Sequence, residues 1–212
     1  MYRVTIKRIQ NQHESRVEYA NAVLSWVSGA VRPLSMDELR CALAIAMERD
    51  GHCVEAFEDW LPDPNDLISF CAGLVILSEG GTVRLAHYSI QEFIERERDL
   101  GKLFPKASQE IALTCLRCLT LDDFTTGSQN PTVELMEARV QQVPILRYAG
   151  NFWFRHDFKV AGKVSPEISA CFSKLFNPDN RKAYVNWFRI WSLPYAKSHL
   201  SMGAPIDQYT SH

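Results

Sequence analysis

Between residues 74 and 87 the hydrophobic pattern changes its period, and two adjacent glycines stand at the middle of the change. Leu74-Val75-Ile76-Leu77 is a short apolar run of strand type. Beyond Gly80-Gly81, the residues Val83, Leu85 and His87 alternate with Thr82, Arg84 and Ala86. A period of two places successive side chains on opposite faces of a strand. Gly80 and Gly81 can supply the two positive-φ positions of a tight turn, so the segment reads as one β-hairpin. What precedes it is helical. Ala20, Val23, Leu24 and Val27, with Trp26 beside them, mark a first helix that Gly29 and Pro33 stop. Met36, Leu39, Leu43, Ala46 and Met47 mark a second, ended by Asp50-Gly51. Leu67, Ile68, Cys71 and Ala72 mark a third, opened by Pro64 with Asp63 as its cap and closed by Gly73. Three helices followed by a hairpin is the order of a winged-helix domain.

Local start signals sharpen this reading. Ser35-Met36-Asp37-Glu38 is a capping box, in which the Ser hydroxyl takes the third backbone N–H and the Glu carboxylate reaches back to the Ser amide. Ser89-Ile90-Gln91-Glu92 reads as a second capping box, opening a helix that turns Ile90, Phe93 and Ile94 inward. Helices continue through Ile111, Ala112, Cys115, Leu116 and Leu119, then Val133 to Val143, a shorter one from Pro144 to Tyr148, Ser165 to Phe176, and Asn180 to Trp191. The stretches 51–63 and 122–131 read as loops. Residues 148–195 carry twelve of the 23 aromatics, enough area to close a core with few residues. The fold class expected is mainly α with one β-hairpin: a polar lead-in over 1–15, a winged-helix domain over 16–105, a helical bundle over 106–197 and an irregular tail over 198–212.

The remaining features exclude more than they assert. No apolar run approaches the ~18 residues of a membrane span, and no apolar core follows the basic first residues as a secretory signal requires. A cytoplasmic protein without membrane contact is expected, with the six cysteines as buried thiols and not disulfides. Cys115-Leu116-Arg117-Cys118 is a lone CxxC in a helical context, without the further ligands a zinc site needs. Neither Gly101-Lys102 nor Gly162-Lys163 fits a phosphate loop, and no Gly-x-Ser-x-Gly elbow exists, so no enzyme, metal or catalytic residue is expected. The adjacent acids Asp122-Asp123 read as a helix end. A groove-reading helix needs bases, but residues 64–72 hold Asp66 and no Arg or Lys, and the wing offers only Arg84. Nucleic acid is therefore the least favoured partner. Charge is segregated: nine acids against two bases over 36–66, and nine bases against three acids over 147–197. These are two solvated faces or, in a stand-alone adaptor, two docking surfaces.

One residue carries a mechanistic argument. His87 ends a strand immediately before a capped helix, whose free N–H groups attract anions. Its imidazole can hydrogen-bond a phosphate on a neighbouring domain, or it is a strand histidine bonded to a backbone carbonyl.

His87-Tyr88-Ser89-Ile90-Gln91-Glu92-Phe93 resembles the H-x-S-x-Q-E-[FY] element in the winged helix of NACHT-type STAND NTPases, the NLR class. Lys7 to Gln12, Ala22 to Val27, Arg32-Pro33-Leu34, Glu38-Leu39 and Ala42 to Ile45 are similar to the matching run of fungal NACHT–ankyrin proteins. Cys71 to Val75, Thr114 to Leu119, and Tyr148-Ala149 with Trp153 and His156 continue the likeness. It spans about residues 5–160. The same winged helix is also labelled after GPI inositol-deacylase, whose activity the missing elbow argues against. The resemblance implies a non-enzymatic module coupling the nucleotide state of a NACHT domain to a repeat sensor. It implies that His87 contacts the β-phosphate of ADP held by that domain, with Ser89 and Glu92 holding the helix end. It also implies no cofactor in the chain itself, ADP or ATP entering only through an NTPase core ahead of residue 1. Ankyrin repeats would follow residue 212, with Gly203 to Asp207 as their run-in, and oligomerisation would belong to the full-length protein.

Overall fold

The computed structural model describes residues 2–47, 61–121, 131–160 and 163–193. The acidic stretch with Phe57 and Trp60, the Asp122-Asp123 pair, Cys53 and the tail over 198–212 lie outside the described residues. The chain runs α1 (Tyr2–Gln10), α2 (Glu14–Gly29), β1 (Leu34–Ser35), α3 (Met36–Met47), α4 (Pro64–Phe70), β2 (Val75–Leu77), β3 (Thr82–Leu85), α5 (Tyr88–Asp99) and α6 (Ala107–Leu119). There follow α7 (Val133–Gln142), α8 (Leu146–Phe152), a short 3-10 turn, the paired strands β4 (Lys159–Val160) and β5 (Lys163–Val164), α9 (Pro166–Leu175) and α10 (Lys182–Ser192). It is mainly helical, a winged-helix domain followed by a helical bundle.

The sheet has one more strand than the sequence signals. β1 pairs antiparallel with β3 through Leu34↔Val83 and Ser35↔Thr82, and β3 pairs with β2 through Val75↔Leu85 to Leu77↔Val83. β3 is thus central, in the order β1-β3-β2. Two residues are too short for any period to announce a strand. The wing's turn also differs from expectation. Gly81 N–H donates to Ser78 O at 2.9 Å and Ser78 N–H to Thr82 O at 2.9 Å, so Glu79, Gly80 and Gly81 form a three-residue loop. Only Gly81 has a positive φ, +73°. A three-residue loop closed by a left-handed glycine needs one such position where the two-residue turn needs two.

The first fifteen residues are not merely a polar lead-in. Tyr2–Gln10 is helical, with Ile6 and Ile9 buried in the core. Tyr2, Val4, Ile6 and Ile9 stand among five polar residues, but nine residues are too few for a helix to hold by itself, and burial against the rest of the fold decides the conformation. Gln12 fixes the end of α1 by donating from its side-chain amide to Phe70 O at 2.8 Å.

The first capping box forms as expected. Glu38 N–H donates to Ser35 Oγ at 3.1 Å, and Ser35 N–H donates to Glu38 Oε2 at 2.9 Å. Ser35→Ala is expected to lower stability by about 1 kcal/mol, read as a shifted urea midpoint at unchanged slope. Pro64 opens α4 as expected, but the Asp63 side chain makes no capping bond. Ser165 caps α9, accepting from Ile168 N–H at 3.3 Å.

α6 lies at the centre. It packs on α2 and α3 on one side and on α8 and α9 on the other. Ile111, Ala112, Cys115, Leu116 and Leu119 are all fully buried, the stripe its spacing predicts. α8 crosses α10 so closely that a Cβ on Gly150 would stand 2.6 Å from Ile190 Cγ2, which only glycine avoids. The dense aromatics form the second half of the core. Trp153 meets Phe172 and Trp187 edge-on, with ring centroids 5.7 and 6.0 Å away.

Candidate functional site

Two polar constellations stand out, one on the surface and one inside. The surface one lies where β3 hands over to α5. His87 is exposed, its backbone is extended at φ −155°, and it is the N-cap of α5. This corrects the second capping box. The helix begins at Tyr88, two residues earlier than Ser89 as cap would require, and the His87 ring takes the place of the expected hydroxyl. Ser89 N–H donates to His87 Nδ1 at 3.2 Å. Glu92 is exposed and does not reach back to Ser89.

That one bond fixes the rest of the pattern. A nitrogen that accepts an N–H is the unprotonated one, so Nδ1 carries the lone pair and neutral His87 carries its proton on Nε2. The Ser89 hydroxyl, 2.6 Å from Nδ1, is then a donor to it. The Tyr2 phenol, 2.7 Å from Ser89 Oγ, is in turn the donor to Ser89. The chain Tyr2 O–H, Ser89 O–H, His87 Nδ1 leaves the Nε2–H as the outward end. The exposed Tyr88 ring lies beside the imidazole, with centroids 4.4 Å apart. The ring thus offers a donor beside the first turn of a twelve-residue helix, where backbone N–H groups add partial positive charge. Such a corner suits an oxyanion. The expectation of a polar lead-in over 1–15 leaves Tyr2 out of the site, although Tyr2, Ile6 and Ile9 follow helical spacing.

The interior constellation joins the two halves. Tyr148 is fully buried, and its hydroxyl accepts from Val31 N–H at 2.9 Å. The same hydroxyl lies 2.8 Å from His156 Nε2 and donates its proton there, which satisfies both groups. Arg32 lies over the Tyr148 ring at 5.2 Å and over Phe152 at 5.9 Å. Its two terminal nitrogens hold Glu38 at 2.6 and 2.8 Å. The capping carboxylate of α3 is thereby connected to the helical bundle. Burial, helped by the neighbouring Arg155 charge, pushes the His156 imidazole down to about 4.

The five cysteines among the described residues are packing residues. Cys41, Cys71, Cys115, Cys118 and Cys171 are buried and free. Burial pushes the Cys41 thiol up to about 11 and Cys71 to about 12, and it raises both thiols of the CxxC. Such thiols are not nucleophilic at neutral pH. Among the described residues no group of three His, Cys, Asp or Glu side chains could hold a metal ion, and no helix is long and apolar enough to cross a membrane.

The helices α2 to α4, the three-stranded sheet and its wing, followed by α5, define a winged-helix domain. Residues 7–104 match the family model described as GPI inositol-deacylase, winged helix domain. The chain is also 25% identical over 194 residues, 85% of its length, to the azaphilone pigments biosynthesis cluster protein L of Monascus ruber. It spans 39% of that relative's length. No solved structure matches the chain.

Proposed function

We propose that the chain is a non-enzymatic regulatory and interaction module of a NACHT/STAND-type signalling protein, coupling the nucleotide state of an NTPase domain to a repeat sensor. The observation that carries this reading is the exposed His87 ring at the start of α5, whose Nδ1 accepts from Ser89 N–H and leaves Nε2 as its other edge. In this reading the imidazole donates to a β-phosphate oxygen of ADP held by the NTPase domain, and the first turn of α5 adds favourable charge. Ser89 holds the ring, and Glu92 is left as a surface residue of the same turn. The family model names a winged-helix domain alone. The Monascus relative's name assigns it to a pigment biosynthesis cluster and gives it no reaction.

The chain by itself holds one edge of such a site. Calorimetric titration with ADP is expected to show no tight binding, and a submicromolar Kd would overturn the proposal. In a longer protein carrying the NTPase domain, His87→Asn keeps a capping oxygen, but its shorter side chain leaves no donor at the position of Nε2. It is expected to change stability by less than about 1 kcal/mol while abolishing ADP retention and producing nucleotide-independent activation. An unchanged ADP-locked state would remove the phosphate role. The coding sequence on both sides gives a quick check, since the reading requires a phosphate-loop domain upstream and repeats of about 33 residues downstream.

A second reading has its own observation. Phe188 and Trp191 on α10 are 47% and 49% exposed, with rings 5.7 Å apart, in the basic half of the chain. A stand-alone adaptor would use such a face. Salt-sensitive capture of a partner lacking any NTPase domain supports that reading over the first.

A further inference from the structure

α1 touches α5 along a single stripe. Ser89, Phe93 and Glu97 are spaced by four residues and therefore share one face of the helix. The Tyr2 hydroxyl meets Ser89 at 2.7 Å, and the Tyr2 ring lies 5.6 Å from that of Phe93. Arg3 donates to Glu97 at 2.7 Å, and Glu97 is almost wholly buried. The Arg3 guanidinium holds the Glu97 carboxyl below the usual carboxylate range. The other end of α1 is fixed through Gln12 and the buried Ile6 and Ile9. The first turn of α1 is therefore the part that faces the His87 corner, and among the described hydrogen bonds it reaches the ring through the Ser89 hydroxyl.

We propose that Tyr2 is a positioning residue for His87. Docked on α5, its phenol orients the Ser89 hydroxyl onto Nδ1, and this holds the ring with its proton on Nε2 and that edge outward. Displacing the first turn of α1 withdraws the phenol and loosens the ring, which then keeps the Ser89 N–H as its one donor of fixed direction. α1 then works as a transmission element: whatever moves Tyr2 also alters the donor offered at His87. The use of that donor rests on the phosphate reading above, whereas the coupling from Tyr2 to His87 is a property of this chain alone.

The test uses the full chain without nucleotide. Long-range nitrogen NMR of wild-type His87 is expected to place the proton on Nε2, and a proton on Nδ1 overturns the proposal. Tyr2→Phe keeps the contact with Phe93 and removes only the hydroxyl. It is expected to speed hydrogen exchange at the Ser89 amide about fivefold, the factor one hydrogen bond carries, and to shift the His87 ring signals. On a Ser89→Ala background, Tyr2→Phe is expected to leave those ring signals unmoved, because the route is already cut. Faster exchange confined to α1 amides, with Ser89 and His87 unchanged, would mean that Tyr2 only packs. An equal effect of Tyr2→Phe with and without Ser89 would also defeat the coupling. Neither failure bears on the ADP experiments, and a failure of those leaves the coupling intact.

Discussion

Tyr148→Ala is expected to destabilise the fold by about 4–6 kcal/mol, a large share of what a domain of this size has to lose. Two losses combine. Removing a fully buried aromatic leaves a cavity beside Trp26 and Phe152, whose rings lie 5.9 and 5.1 Å from it. Val31 N–H also loses its acceptor, and His156 loses the donor to Nε2. Tyr148→Phe separates the two, because it keeps the ring and removes only the hydroxyl. Its cost is expected to be about 1–2 kcal/mol. Urea unfolding followed by tryptophan fluorescence measures both. Equal midpoints for wild type and Tyr148→Phe would show that the hydroxyl bridge carries no stability.

Stability is expected to fall by about 2–3 kcal/mol between pH 6.5 and pH 4 on account of His156 alone. The sign follows from the lowered folded value. In that window the unfolded chain, titrating near 6.5, binds a proton that the folded chain, titrating near 4, refuses. Stability therefore rises with pH across the window and is complete above it. The cause is burial first and the Arg155 charge second. A protonated ring also can no longer accept from Tyr148, so acid attacks the link between the two halves. Comparing unfolding free energies of wild type and His156→Gln from pH 4 to 7 isolates the contribution. Parallel pH profiles for the two proteins would contradict the assignment.

The winged helix was readable because its signals are periodic and redundant. Apolar stripes in α2, α3 and α4, a capping box before α3 and a glycine pair inside alternating strands all point the same way. The errors fell where a local rule had a close competitor. At α5, serine and glutamate in capping-box spacing gave way to a histidine two residues ahead of the serine, whose ring nitrogen receives the same amide. At the wing, two glycines served a three-residue turn in place of a two-residue one. The two-residue β1 had too little sequence to announce a strand. α1 carries Tyr2, Ile6 and Ile9 at helical spacing, but a nine-residue segment becomes a helix only by packing on α2 and on α5, the latter distant in sequence.

The candidate site divides in the same manner. Position 87 was singled out from its place between a strand and a helix, both of which are local features. Its partner Tyr2 lies 87 residues from Ser89 along the chain, and Tyr148 lies 117 from Val31. Pattern determines which face of a segment is apolar, because side-chain direction repeats along a backbone of fixed geometry. Which polar groups meet across segments depends on how the packed helices cross, and a hydrogen bond tolerates only a few tenths of an ångström. The sequence by itself thus specified a winged helix with a histidine at its exposed corner. Only the tertiary structure chose the nitrogen that holds the proton and the residues that keep it there.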